Sequence, residues 1–193
     1  MSKDEVRGTC TVLYGGSFDP PHCAHVMVVS YLLTCTDATD VWVIPCFEHA
    51  LGKKHPVPFD ARMAMCKLAF APFGSAVSVI DVEARLPKPS YSVDTVRHLV
   101  ATHPERTFRF AVGSDIVNER HLWKDFDDIV KLAPLVVLAR QGVPFESPPL
   151  TPLFPDVSAT AIRNDLVHGR DVSDRVPRDV LALIQRNGWY ADQ

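Results

Sequence analysis

Five short apolar runs rich in β-branched residues, separated by stretches with helical spacing, leave few architectures open to this chain. They are TCTVLY at 9–14, VWVIP at 41–45, VSVIDV at 77–82, TFRFAVG at 107–113 and LVVLAR at 135–140. Strands joined through helices pair in parallel, and a parallel sheet is covered on both faces, so its strands read as continuous apolar runs. The intervening segments agree. DARMAMCKLAF at 60–70 puts Met63, Cys66 and Phe70 on one helix face, with Asp60 as the expected N-cap. YSVDTVRHLVATHP aligns Val93, Val96 and Val100 and is stopped by Pro104. WKDFDDIVKLA reads as a further helix, and the tail holds SATAIRNDLVHG, closed by Gly169, and PRDVLALIQRNG, opened by Pro177 and closed by Gly188. The expected fold is therefore α/β: a Rossmann-like, doubly wound parallel sheet in a single domain spanning 1–193, with its core from about residue 10 to 190.

Composition narrows the function classes. The net charge of −3 argues against a general nucleic-acid binder, which would be clearly basic. A small cationic site for an anionic ligand is compatible with it. Five cysteines, an odd number with no C-x-x-C, and an N-terminus without a signal-peptide pattern suggest reduced thiols and a cytoplasmic setting. No apolar run reaches the ~18 residues of a membrane span, so no membrane partner is expected. Prolines gather in PFESPPLTPLFP at 144–155, which reads as a loop.

The chemistry is concentrated in LYGGSFDPPHCAH at 13–25, between the first strand and the first helix. Strand–turn–helix junctions of open α/β folds bind phosphates, through free amides and the helix dipole. Gly15 and Gly16 let backbone approach a ligand, and His22 and His25, three apart, share one helix face. The usual phosphate motifs are missing: there is no G-x-G, and the one Gly-Lys pair, Gly52-Lys53, has Phe47 where a P-loop needs glycine. A second helix start offers similar chemistry. Ser158 suits an N-cap, and Thr160 shares a face with Arg163, so a hydroxyl, open amides and a guanidinium can converge on one anion.

Together these segments resemble a known family. GGSFDPPHCAH is similar to the G-G-[ST]-F-D-P-x-H-x-G-H signature of the nucleotidylyltransferases, and VSATAIR to their I-S-S-T-x-I-R. Within that superfamily SYSVDTVRHL at 90–99, the VGSDIVNERHLWKDFDDIVKLAPLVVLAR stretch and the closing NGWY resemble the nicotinate-mononucleotide adenylyltransferases. The chain departs from the pattern at Ala24 (glycine in the signature), Ala159 (serine), Ser92 (threonine) and in the loop IPCFEHALGKKHP.

The resemblance implies transfer of the adenylyl group of ATP to nicotinate mononucleotide, giving nicotinate adenine dinucleotide and pyrophosphate, with Mg²⁺ accompanying ATP. It implies His22, His25 and Arg163 as catalytic residues. It implies an ATP site of Gly15, Gly16, Ser17, Phe18, Gly113, Asp115, Ser158, Thr160 and Arg163. It further implies a mononucleotide site of Lys53, Lys54, Tyr91, Ser92 and Trp123, and assigns no protein side chain to a metal. Asp19 is expected to fix the turn rather than touch substrate. Other acceptors, as in pantetheine-phosphate adenylyltransferases or cytidylyltransferases, are the neighbouring alternative. A catalytically weak nucleotide sensor on the same fold is the more distant one.

Overall fold

The structure, a computed structural model, describes residues 9–48, 52, 54–139 and 152–191. The first strand, β1 (Cys10–Gly16), runs into helix α1 (Cys23–Cys35), and β2 (Asp40–Pro45) into α2 (Phe59–Phe70). After β3 (Val77–Val79) come α3 (Ser92–Thr102), β4 (Thr107–Gly113) and the short α4 (Ser114–Asn118). The chain continues through α5 (Phe126–Leu132), β5 (Leu135–Leu138), α6 (Ala159–Val167) and α7 (Arg178–Asn187). All four strand pairs are parallel, in the order β3-β2-β1-β4-β5.

Alternation along the strands splits the core into two layers. Val12 and Tyr14 of β1 face the layer that also takes Val29 and Leu32 of α1, Met65 of α2, Ile162 of α6 and Ile184 of α7. Leu13 faces the opposite layer, with Val93 and Val96 of α3, Phe110 of β4 and Ile129 of α5. Helices therefore cover both faces, as the apolar runs require.

Several boundaries differ from the sequence reading. Pro58, not Asp60, caps α2, because the chain approaches extended at Pro58 and turns helical at Phe59. Asp60 instead lies in the first turn, where its charge complements the helix dipole. The run at 77–82 pairs only over Val77–Val79 and then coils into a 3₁₀ turn, Val82–Arg85. The helix expected from Trp123 begins at Phe126, after Asp125 turns through the left-handed region with φ 46°. Gly188, with φ 62°, closes α7 as expected. Arg140 and residues 144–151 lie outside the described residues. Among the described residues no helix is long and apolar enough to cross a membrane, and all five cysteines are free thiols.

Leu13 is fully buried at the centre of the sheet. Leu13→Ala should therefore cost about 2–5 kcal/mol, read as a lower denaturant midpoint at unchanged slope.

Candidate active site

The sheet order reverses between β1 and β4: successive strands step outward from β1 through β2 to β3 on one side, and from β4 to β5 on the other. A crevice opens beyond the carboxyl ends of the two strands at such a reversal, and ligands of open α/β sheets bind there. Gly15 and Gly16 close β1 at this edge, and Gly113 closes β4. Ser114, buried, and Asp115, half-buried, follow at the start of α4.

The segment from Gly16 to His22, leading from β1 to α1, is held from five directions. The Cys46 amide donates to the Gly16 carbonyl at 2.8 Å. Arg62 Nη1 donates to the Ser17 carbonyl at 3.0 Å, and Arg163 Nη1 to the Asp19 carbonyl at 2.6 Å. The Asp19 carboxylate accepts from the Tyr190 hydroxyl at 2.5 Å and contacts His55 Nδ1 at 3.2 Å. Phe18 sits in the left-handed region, φ 47°, with its ring buried against Tyr14, His25 and Phe70. Its side chain is thus core, and only its backbone faces outward chemistry. Gly16 makes room for that ring, since a Cβ there would lie 3.0 Å from it. A Cβ at Gly15 would meet only the Phe110 ring, at 3.8 Å, so the open backbone is at Gly15.

Clamping the turn fixes the two histidines. Their rings stack at 3.7 Å between centroids. The His22 amide donates to His25 Nδ1 at 3.1 Å, so Nδ1 acts as an acceptor and a neutral ring carries its proton on Nε2. Other donors of α1 are already committed: the Cys23 amide binds the Arg175 carbonyl at 2.8 Å and the His25 amide the His22 carbonyl at 3.0 Å. An anion at this end would therefore meet imidazole more than open amides.

Helix α6 meets the turn from the other side. Ser158 caps it, accepting from the Ala161 amide at 3.3 Å. Arg163 spends one N–H on the Asp19 carbonyl and one, at 3.1 Å, on the Thr160 hydroxyl, which leaves the rest of its fork to address a ligand. The stacked imidazoles and the guanidinium thus attach to the same turn, and the exposed Thr160 hydroxyl accepts from that guanidinium.

Comparison with known proteins identifies the family. The cytidylyltransferase-like family matches residues 13–165. A probable nicotinate-nucleotide adenylyltransferase of Anaeromyxobacter dehalogenans is 39% identical over 181 residues, covering 92% of this chain and 95% of that one. One of Myxococcus xanthus is 36% identical over 178 residues, covering 92% and 93%. The chain belongs to the nicotinate-nucleotide adenylyltransferase family. Its fold superposes on Plasmodium falciparum nicotinic acid mononucleotide adenylyltransferase complexed with NaAD, with TM-score 0.79, 21% identity and coverage of 94% and 97%.

The residues expected at the mononucleotide lie toward α3 and α5. Tyr91 caps α3 and Ser92 is its first residue, both half-buried. Trp123 is half-buried, its ring 6.2 Å from both Phe110 and Phe126. Phe110 thus links Gly15 to Trp123. Lys124 lies 4.5 Å over the Tyr91 ring and 3.2 Å from Asp94, drawing the Trp123 segment against the start of α3. Lys54 is exposed on the loop before α2, and Lys53 lies outside the described residues. Ala24, where the family signature has glycine, is buried, so its methyl points into the protein.

Sequence reasoning missed Arg62, His55 and Tyr190. Arg62 has a signal in hindsight: one turn before Cys66, it lies on the apolar face of α2, and it is 1% exposed. His55 and Tyr190 carry no local signal, because what defines them is a distant carboxylate. Burial alone would raise the Asp19 carboxyl, but hydrogen bonds from His55 and Tyr190 and the charge of Arg163 outweigh it and hold it below the ordinary value. Burial and the neighbouring anion push the Tyr190 phenol far upward, so it remains a donor at any working pH.

A carboxyl depressed by folding contributes stability that is present above its unfolded value, ~3.9, and lost as pH falls through the folded one. The stability difference between wild type and Asp19→Asn should therefore be constant above about pH 5 and shrink below about pH 4, read from melting temperature against pH.

Proposed function

We propose that this chain transfers the adenylyl group of ATP to nicotinate mononucleotide, releasing pyrophosphate and forming nicotinate adenine dinucleotide. The observation that carries this reading is the meeting of the stacked His22–His25 pair and the α6 guanidinium on one clamped turn at the strand-order reversal. The named activity of the relatives, 36–39% identical across nearly the whole chain, points the same way.

In the reaction a phosphate oxygen of the mononucleotide attacks the α-phosphorus of ATP, and the bond from that phosphorus to the oxygen bridging it to the β-phosphorus breaks. The attacking group is already an anion, so no side chain need remove a proton from it. The demand is to hold two repelling anions in line and neutralise the charge that builds between them. Neutral His25 offers its Nε2 proton to a phosphoryl oxygen in that state, and His22 supports it through the stack. Arg163, Ser158 and Thr160 hold the β- and γ-phosphates. Gly15, Gly16 and the backbone of Ser17 and Phe18 line the triphosphate, and Gly113 and Asp115 the adenosine. Lys53 and Lys54 meet the mononucleotide phosphate.

Magnesium enters as the ATP complex. Among the described residues no group of three or more His, Cys, Asp or Glu side chains could hold an ion, and Asp19 is committed to Tyr190 and His55. Phosphate oxygens and water suit a hard, well-hydrated cation, with Asp115 orienting its water shell from the adenosine side. Bound there, Mg²⁺ would supply charge neutralisation across the phosphates. The five free thiols accord with a reducing compartment, in our reading the cytoplasm.

Tyr91, Ser92 and Trp123 form the base pocket. Trp123 gives a flat face for a pyridine ring. The Asp94 and Thr95 amides turn back to the Tyr91 carbonyl, so the donors for a ligand are the amides of Ser92 and Val93 at the start of α3. Amides, which only donate, suit an acceptor-only carboxylate, and a carboxamide would turn its NH₂ onto donors at ~1–3 kcal/mol per mismatch.

Purified protein should therefore release pyrophosphate from ATP and Mg²⁺ with nicotinate mononucleotide. Its kcat/KM should be at least about ten-fold higher than with nicotinamide mononucleotide. A panel adding phosphopantetheine and CTP tests the assignment: activity only with those, or ATP binding without pyrophosphate release on any acceptor, would refute it.

His25→Ala should lower kcat by roughly 10²–10³ with folding intact, the size of one lost transition-state donor. Arg163→Ala should chiefly raise KM for ATP, because its phosphates are charged before reaction begins. Near-normal turnover in His25→Ala would remove the role assigned to that ring.

A further inference from the structure

Tyr190 lies 171 residues from Asp19 in sequence, yet its hydroxyl donates to Asp19 Oδ1 at 2.5 Å. Both groups are buried, Asp19 at 2% and Tyr190 at 8% exposure. The backbone is committed to this contact: Tyr190 holds φ 62°, a conformation that a bulky aromatic residue rarely adopts, just after the left-handed Gly188 ends α7. The other Asp19 oxygen faces His55, and its own carbonyl is held by Arg163. The charged groups around the carboxylate thus come from three elements: His55 from the loop before α2, Arg62 from α2 and Arg163 from α6.

Resting on the adenylyl transfer proposed above, we propose that Tyr190 is a positioning residue for catalysis, which acts through Asp19 to hold the turn that presents His25. The phenol satisfies one carboxylate oxygen with a neutral donor. Without it, that oxygen is left buried and unsatisfied beside two guanidiniums, and it turns to the nearest cation for compensation. The carboxylate then shifts, and the turn relaxes. Asp19 stands three residues before His22, whose amide fixes the Nδ1 acceptor of His25, so loss of the phenol is transmitted to the ring that donates in the transition state. A substitution of this kind alters turnover more than binding of the mononucleotide, whose pocket lies on the α3–α5 side.

The experiment is Tyr190→Phe, which deletes one oxygen atom. Wild-type turnover with nicotinate mononucleotide is measured first, and an inert wild type counts against the proposed function. In the variant kcat should fall about ten-fold, with KM for the mononucleotide changed less than about two-fold. In a His25→Ala background the same substitution should cost almost nothing further, because the group it positions is gone. Histidine ¹⁵N spectra of the substrate-free protein should report a shifted His25 ring in Tyr190→Phe. Asp19→Asn is the second variant and should lower kcat similarly. Unchanged kcat, an equal loss with and without His25, or coincident His25 signals would each overturn the inference, and the last holds whatever the acceptor proves to be.

Discussion

The site depends on a single buried carboxylate. Asp19 is surrounded by a phenol, an imidazole and two guanidiniums, and its anion is what allows Arg62 and Arg163 to sit beside the signature turn without facing each other across an uncompensated gap. A buried ion group of this kind adds little net stability when complete and costs several kcal/mol when one member is removed. Its value lies in specifying one geometry. Residues Ser17–His22 belong to no helix or strand, so without the clamp they could sample many conformations, each placing the imidazoles differently.

The fold was largely legible. The run TFRFAVG coincides with a strand residue for residue, because β1 pairs with it over Thr107–Ala111 and β5 over Phe110–Gly113, so partners reach both of its ends. Ends set by tertiary pairing were less readable. The run at 77–82 has the composition of a strand throughout, but β2 offers it partners only over Val41–Val43, and the rest coils. The cap of α2 was misassigned because an acidic residue at its start looks like a cap when only the chain's direction of approach decides.

The signature turn and the start of α6 could be found in sequence because their chemistry is local: histidines three apart, a hydroxyl and an arginine one turn apart. The side chains that hold them were invisible for the opposite reason. His55 and Tyr190 acquire meaning only when β1 lies at the centre of the sheet and brings residues before α2 and after α7 to its carboxyl end. Arg62 sits between these cases. Its position on an apolar helix face is a local anomaly, and a buried arginine needs an acceptor from elsewhere, here the Ser17 carbonyl.

Because Arg163 and Tyr190 both follow β5, the sheet and the site are completed at different moments of protein synthesis. A nascent chain that has emerged as far as β5 holds all five strands, and can pair them, while its histidines still stand on an unclamped turn. The clamp on the turn is then a property of the chain through Tyr190, not of the sheet that carries it. A ribosome that stalls after β5 would release a core able to collapse, with its histidines on a turn that Arg163 and Tyr190 do not yet hold.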